Sequence, residues 1–277
     1  MAAEIHSYPI SGFPSDFMTE NYSVILLNGS GVFSVDQINY FYEGYTVLFL
    51  SPYQKLKLLP WSGQEIFSLF FHGDYYCIEY HKEEVACNGL LFNNIYLHPA
   101  IRITRENYEQ IHGIFNHIRH ESSEEHPFST SIIKTYIQLV LAICSKQKSN
   151  TLQDEMLSNG KTANKNADAF RKLLELHFKE EKEPSFYSNK LHIAGSTLSK
   201  SVKKEFGKTP GQLIKEKIIL EAKRLLHLTY RSVKEIAVDL GFHDEFYFSR
   251  YFKKSVGCSP KKYREKVGIS IVAKMSM

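Results

Sequence analysis

The sequence has few of the residues that stabilise small secreted proteins or bind structural metals. Only four of its 277 residues are cysteines, Cys77, Cys87, Cys144 and Cys258, without the close pairs of a zinc site or the density of a disulfide framework. We therefore predict no metal or other cofactor, and we interpret the cysteines as reduced thiols. A redox pair between Cys77 and Cys87 is an alternative that their spacing leaves open.

Long apolar runs are also missing. The longest, residues 132–143, is interrupted by Lys134, Thr135 and Gln138, whereas a membrane-spanning helix needs about 20 apolar residues. The first residues lack the positive charge and apolar core of a signal peptide. We therefore expect a cytoplasmic protein with no membrane partner. Because only 15 Gly and 9 Pro accompany 43% hydrophobic residues, the composition is that of a globular chain.

Charge is distributed unevenly along the chain. Residues 167–277 contain 23 Lys and Arg against 13 Asp and Glu, a net of +10, whereas residues 1–166 contain 11 against 17, a net of −6. A basic C-terminal part fits a polyanionic partner, and an acidic remainder argues against a chain that simply coats nucleic acid. With a polar stretch between them, we predict domains at residues 1–147 and 167–277 and a linker at 148–166.

A repeated motif dominates the basic part. Residues 198–210 recur, fifty positions later, as residues 248–260. In each copy three apolar residues at i, i+4 and i+8 predict one face of a helix: Leu198, Val202, Phe206, then Phe248, Phe252, Val256. A glycine ends each predicted helix, Gly207 and Gly257, and a proline begins the next, Pro210 and Pro260.

Each copy fits the second helix of a helix-turn-helix unit. A shorter predicted helix precedes it, and in the second copy Ser232 and Glu235 form a capping box at that helix. Small polar and cationic residues recur at equivalent positions off the apolar face: Ser199, Lys200, Lys203, Lys204, then Ser249, Arg250, Lys253, Lys254. This repetition favours a surface for the major groove of DNA over an ordinary solvated helix face.

These residues carry a family resemblance. The chain resembles the AraC/XylS family of bacterial transcription regulators over roughly residues 168–266, through Glu221-Ala-Lys-Arg-Leu-Leu226, Val233-Lys-Glu-Ile-Ala237, Leu240-Gly-Phe242, Tyr247-Phe-Ser-Arg250, Phe252-Lys-Lys254, Gly257, Ser259-Pro260 and Tyr263-Arg264. The first half departs from the pattern at Ala194, Val202 and Ile218. The resemblance implies a transcription regulator that binds double-stranded DNA through two helix-turn-helix units joined by a long helix, predicted from Pro210 to His227.

The two predicted recognition helices divide into two sets of DNA contacts. We expect base contacts from Ser196, Thr197, Ser199, Lys200, Glu245, Phe246, Ser249 and Arg250. We expect phosphate contacts from Lys203, Lys204, Lys253, Lys254, Lys261 and Arg264. Arg250 is the strongest candidate, because a guanidinium can bond to O6 and N7 of guanine together.

The N-terminal part reads as short strands followed by helices. Aromatic and β-branched runs between Tyr22 and Phe92, with turns predicted at residues 28–31, 36–37, 43–44 and 51–52, favour a sandwich or barrel. This stretch resembles the jelly-roll, cupin-like ligand domain of many AraC-type regulators, so the predicted fold is α+β: this barrel with two flanking helices, then the all-α domain. A pocket for a small effector would be lined by Phe49, Trp61, Phe67, Leu69 and Phe71.

Two amphipathic helices, predicted at residues 105–119 and 127–145, follow the strands. They can cover the open side of a barrel or form a homodimer interface, and the resemblance favours the dimer. His112, His117 and His120 lie along the first helix and fit surface histidines better than a metal site.

The main rival to a DNA-binding regulator is a cupin-type enzyme with a DNA-binding appendage. No His-x-His pair occurs in the chain, so the metal ligands of such an enzyme are missing and we predict no enzymatic activity. A regulator that acts without an effector is a further alternative. RNA polymerase is a possible partner in either case.

Overall fold

The chain folds into two units. The structure is a computed structural model that describes residues 3–9, 12–59, 62–63, 65–73, 90–158 and 164–269. One unit comprises residues 1–94 and 98–153, and the other comprises residues 95–97 and 154–277. Trp61, Cys77 and Cys87 lie outside the described residues.

An antiparallel sheet forms the first unit. Its described strands are β1 (Glu4–Pro9), β2 (Tyr22–Val35), β3 (Ile38–Leu50), β4 (Leu56–Leu58), β5 (Ser62–Gly63), β6 (Glu65–Phe71) and β7 (Ala100–Arg102). The order is β1-β6-β2-β3-β7, and β4 and β5 also pair with β2. The sheet is open along this order, and the chain as a whole is of mixed α and β structure, as predicted.

Two predicted turns are instead parts of long strands. Residues 28–31 lie inside β2 and residues 43–44 inside β3, where Gly29 pairs with Gly44. Glycine adopts their φ angles of 139° and 76° without strain, so the pairing of β2 with β3 continues on both sides of these residues. The turn predicted at Asp36 and Gln37 is confirmed, with φ angles of 49° and 73°, a backbone that suits the twist of a two-residue hairpin loop.

Helices α1 (Arg105–Ser122) and α2 (Ser129–Ser158) cover one face of the sheet. Along β2, Val24 and Leu26 join the core beneath these helices, whereas Ile25 and Leu27 join a separate core on the opposite face. Helix α2 continues well past its predicted end near residue 145 and includes much of the stretch predicted as a linker. Polar composition alone did not end it, because no glycine or proline interrupts residues 146–158.

The second unit is helical throughout its described part. Its helices are α3 (Lys165–His177), α4 (Pro184–Lys190), α5 (Gly195–Phe206), α6 (Pro210–Leu228), α7 (Val233–Asp239), α8 (Glu245–Val256) and α9 (Pro260–Val267). Gly207 and Gly257 end α5 and α8 in the left-handed conformation, as predicted. Thr209 caps α6 in a reciprocal capping box with Gln212.

The long helix α6 is the centre of this unit. Its buried side chains include Leu213, Ile214, Ile218, Ala222, Leu225 and Leu226. Helices α4 and α5, which precede α6 in the chain, and α7, α8 and α9, which follow it, all pack on α6. No helix in the described parts of the chain is long and apolar enough to cross a lipid bilayer.

Candidate nucleic-acid interface

Helix α5 buries one narrow apolar stripe and exposes the rest of its surface. Leu198 and Val202 are buried, while Ser196, Thr197, Ser199 and Lys200, which we predicted as base contacts, are all exposed. Ala194 occupies the N-cap position with extended backbone and has no side-chain oxygen to accept a bond from the first turn. The preceding turn places His192 at a φ of 53°, a conformation uncommon for residues other than glycine.

Helix α8 is held more firmly at its start. The Asp244 carboxylate accepts hydrogen bonds from the backbone N–H groups of Phe246 (2.9 Å) and Tyr247 (3.1 Å). Phe246 exposes 73% of its surface and the neighbouring Tyr247 exposes 54%, so both rings are accessible to a partner. Of the other predicted base contacts, Arg250 is exposed, and Glu245 and Ser249 are half-buried.

Helices α5 and α8 carry six cations, and Lys261 follows at the start of α9. All seven are exposed and have no ion pair or hydrogen bond within the described chain: Lys200, Lys203, Lys204, Arg250, Lys253, Lys254 and Lys261. Elsewhere in the unit, Lys179 pairs with Asp239 (3.1 Å) and Lys208 with Glu216 (2.6 Å). Lys165, Lys215, Lys234 and Lys262 are also exposed without such a partner, but α5 and α8, of 12 residues each, carry three unpaired cations apiece. Unpaired positive charge is therefore densest on these two helices.

Arg264 is different from the other predicted phosphate contacts. Its Nε donates to the carbonyl oxygen of Leu226 (3.0 Å), and one NH₂ group donates to that of Arg231 (2.6 Å). Burial lowers the pKa of this guanidinium. Arg264 thus satisfies carbonyls at the end of α6 and in the following loop, and only its remaining N–H groups are available for a phosphate.

The residues predicted to line an effector pocket lie mostly beneath the helices of the first unit. Phe49, Leu69 and Phe71 are buried in the core shared with α1 and α2, and Phe67 is partly buried against His112, with ring centroids 4.2 Å apart. Trp61 is outside the described residues. Their role in effector binding stays a prediction.

Lys148 lies buried in the same unit. Its ammonium donates to the carbonyl oxygen of His98 (2.8 Å), and burial lowers its pKa to about 8. Burial also raises the pKa of the nearby Cys144 thiol, which favours an unreactive cysteine.

The histidines of α1 make separate contacts. His112 packs on Phe67, His117 stacks on Tyr136 with centroids 5.5 Å apart, and His120 lies 3.7 Å from Glu124. Across the described residues, no three His, Cys, Asp or Glu side chains converge in a way that could hold a metal ion.

Comparison with known proteins identifies the helical unit. A family model described as a helix-turn-helix domain matches residues 187–266, which run from α4 through α9 and include both helix-turn-helix units. This match supports the resemblance of the helical unit to regulators of the AraC/XylS family. The AraC-type signature in the sequence therefore corresponds to two complete helix-turn-helix units on a shared central helix.

The relatives that this chain matches are named as regulators. YisR of Bacillus subtilis, an HTH-type transcriptional regulator, is 36% identical over 92 residues, which are 33% of this chain and 32% of YisR. RhaR of Mannheimia succiniciproducens, an HTH-type transcriptional activator, is 23% identical over 60% of this chain and 58% of its own length. The chain thus spans less than two thirds of either relative.

Among solved structures, the C-terminal domain of AraT from Geobacillus stearothermophilus is 28% identical. The match covers 40% of this chain and 93% of that domain, with a TM-score of 0.38.

One group of contacts had no sequence signal. Lys179 and Lys182, in the loop after α3, contact Asp239 and Gly241, at the end of α7. About 60 residues separate these partners along the chain, so no helical or strand period could have predicted their proximity.

Proposed function

We propose that this protein is a sequence-specific, DNA-binding transcription regulator whose helices α5 and α8 enter successive major-groove segments of one duplex. Such segments lie about 34 Å apart on one face of DNA. The observation that carries the proposal is the set of seven exposed, unpaired cations on and beside these two helices. Acidic partners neutralise several of the unit's other cations, so the unpaired set is available for phosphates.

The contacts would divide between positioning and base recognition. Ser196, Thr197, Ser199, Lys200, Glu245, Phe246, Ser249 and Arg250 would face base edges. Lys203, Lys204, Lys253, Lys254 and Lys261 would meet phosphates, with a smaller part for Arg264 because two backbone carbonyls already hold its guanidinium.

We propose that the first unit is a cupin-like jelly-roll domain that binds a small organic effector. Phe49, Leu69 and Phe71, predicted to line a pocket, lie on the face covered by α1 and α2, whereas the opposite face carries a second apolar, aromatic-rich core, where we place the effector. On this face the hydroxyls of Ser23, Ser68 and Tyr42 are buried and have no hydrogen-bond partner in the described chain. An apolar region with a few polar anchors is typical of small-molecule sites, and these hydroxyls suit a neutral ligand.

We also propose that α2 forms a homodimer interface with a second copy of the chain. Phe128, immediately before α2, and Ile132 and Leu139 within it expose 66%, 38% and 43% of their surfaces. With Thr135 and Ala142, also exposed, they follow the alternating spacing of four and three residues that forms a coiled-coil seam. Two such seams can cover each other, and a dimer would present four recognition helices to a longer operator. An activator of this kind would also contact RNA polymerase.

Selection of bound DNA from a random duplex library tests the main proposal. The full chain should enrich a site with two conserved segments about one helical turn apart. Triple alanine substitution of Arg250, Lys253 and Lys254 should abolish enrichment without unfolding the protein, because all three side chains are exposed. Lack of any enriched sequence at moderate ionic strength would contradict the proposal.

Thermal melting separates the roles proposed for the first unit. Stabilisation by an organic metabolite supports a sensor. Loss of stability with a chelator would instead favour a metal enzyme with a DNA-binding appendage. If no metabolite shifts the melting temperature while DNA binding is intact, an effector-independent regulator is the better account.

A further inference from the structure

The two helix-turn-helix units meet at a second place besides α6. Lys182, in the loop between α3 and α4, donates from Nζ to the carbonyl oxygens of Lys179 (2.7 Å) and Gly241 (3.0 Å). The same ammonium lies 4.7 Å from the centre of the Phe242 ring. Lys179 reaches across as well, and its Nζ is 3.1 Å from Asp239 Oδ1. We refer to Lys179, Lys182, Asp239, Gly241 and Phe242 as the clamp.

The backbones of the clamp approach each other as closely as a glycine permits. Gly241 has a φ of +68°, and a Cβ built on it would lie 2.1 Å from the carbonyl oxygen of Lys179. No side chain fits at that distance without moving one backbone away from the other. Gly241 therefore has two separate reasons to be glycine: the left-handed turn of its own unit, and contact with the other unit.

Each side of the clamp is joined directly to a recognition helix. Glu183 and Pro184 follow Lys182 at once and begin α4, which packs on α5. Phe242 packs on Phe248 of α8, with ring centroids 5.2 Å apart, and Asp244 caps that helix. A displacement at the clamp would therefore be passed to both α5 and α8.

We propose that the clamp fixes the separation and relative rotation of α5 and α8, so that Lys182 is a positioning residue that sets which operator spacing the protein accepts. The inference rests on the proposed DNA-binding function. Helix α6 alone joins the two units at its two ends and would let them pivot. A second contact away from the axis of α6 prevents this rotation. Each base pair added between the two operator segments changes both the distance and the rotation of the second groove, so a rigid pair of units should tolerate few spacings.

The test is the spacing profile of DNA binding by the full chain. The selected operator is compared with versions that carry one or two base pairs more or fewer between its segments. Wild type should prefer the selected spacing by about tenfold or more, the size of one good base contact. Lys182→Met should flatten this preference by about threefold or more, since its unbranched side chain fills similar space without the charge. Lys182→Arg, which can still donate to the carbonyls, should restore it.

A pair of glycines gives a matched control. Gly207 has nearly the same φ, +69°, but a Cβ there would meet no atom within 4 Å. Gly207→Ala and Gly241→Ala therefore introduce the same backbone strain, and only Gly241→Ala separates the two units. Gly241→Ala should broaden or shift the preferred spacing, whereas Gly207→Ala should lower the melting temperature and leave the spacing profile unchanged.

The outcomes separate this inference from the function on which it rests. A wild type that prefers no duplex sequence would refute the DNA-binding function. A wild type with a sharp spacing preference that Lys182→Met and Gly241→Ala both retain would refute the clamp alone. If Lys182→Met does not fold, Lys179→Met, which removes only the ion pair with Asp239, gives the same readout.

Discussion

The two helix-turn-helix units share a fold but differ in how their sequences specify it. In the second helix-turn-helix unit, α7 begins with a Ser232–Glu235 capping box, the turn is at Gly241, and Asp244 caps α8. In the first helix-turn-helix unit, α4 begins without a side-chain cap, and Ala194 at the N-cap position of α5 has no side-chain acceptor. Capping and turn residues therefore specify the second helix-turn-helix unit almost alone, whereas the first helix-turn-helix unit depends on packing against α3 and α6.

The largest expected difference between the units is in base recognition. Arg250→Ala should cost about 1–3 kcal/mol of discrimination at one base pair, because a bidentate guanidinium contact is lost. Lys200 stands at the equivalent position of the first unit, and Lys200→Ala should cost less, because an ammonium lacks the planar fork. Competition binding against all four bases at each operator position measures both. An unchanged base preference for Arg250→Ala would contradict the assigned role.

Exchanging the N-cap residues of α5 and α8 should reverse the difference in stability between these two helices. Asp244→Ala should destabilise α8 by about 1 kcal/mol, whereas Ala194→Asp should stabilise α5 by a similar amount, because Ala194 already has extended N-cap backbone. Native-state hydrogen exchange of amides in α5 and α8 reports each helix separately. Equal effects of the same sign would show that the caps do not distinguish the units.

Phosphate contacts should behave alike in both units. Lys253→Ala and its counterpart Lys203→Ala should each weaken binding to all sequences equally. Each should also reduce the slope of log affinity against log salt by about 0.9, the value for one phosphate contact. Titrations at three or more salt concentrations provide the slopes. A change in base preference on either substitution would instead show that the lysine contacts a base.

The smallest expected difference is in the response to acid. Hydrogen bonds from Ser232 hold the pKa of Glu235 below its ordinary value of 4.5. The capping box therefore adds stability to α7 above the ordinary pKa, and this contribution is lost as pH falls through the lowered pKa. Helix α4 has no such box and should lack this loss. Glu235→Gln, which can still form the box as Gln212 does, should abolish the pH dependence at α7 in amide exchange.

The sequence predicted features that depend on neighbouring residues. Gly207, Gly257 and Asp244 act within one turn of their own helices, and each lies where the spacing placed it. Gly29 and Gly44 were interpreted as turns, because a glycine inside a paired strand gives the same local signal as a glycine in a loop.

Contacts between distant residues could not be predicted in this way. Arg264 was assigned to phosphates because its charge is visible in the sequence, while the carbonyls of Leu226 and Arg231 that hold it are not. The proximity of Lys182 to Gly241 likewise follows from the fold. For the side chains proposed to contact DNA, the sequence identified exposed, cationic positions because the repeated motif contains them twice.

The unpaired cations have a practical consequence for handling the purified protein. Positive charges crowded on each of α5 and α8 repel each other when no polyanion is bound, so the free helical unit should be least stable in dilute buffer. Salt would then protect the free protein while it weakens the complex. Melting curves with and without DNA are comparable only at matched ionic strength, and sulfate or heparin columns should preserve the protein during purification.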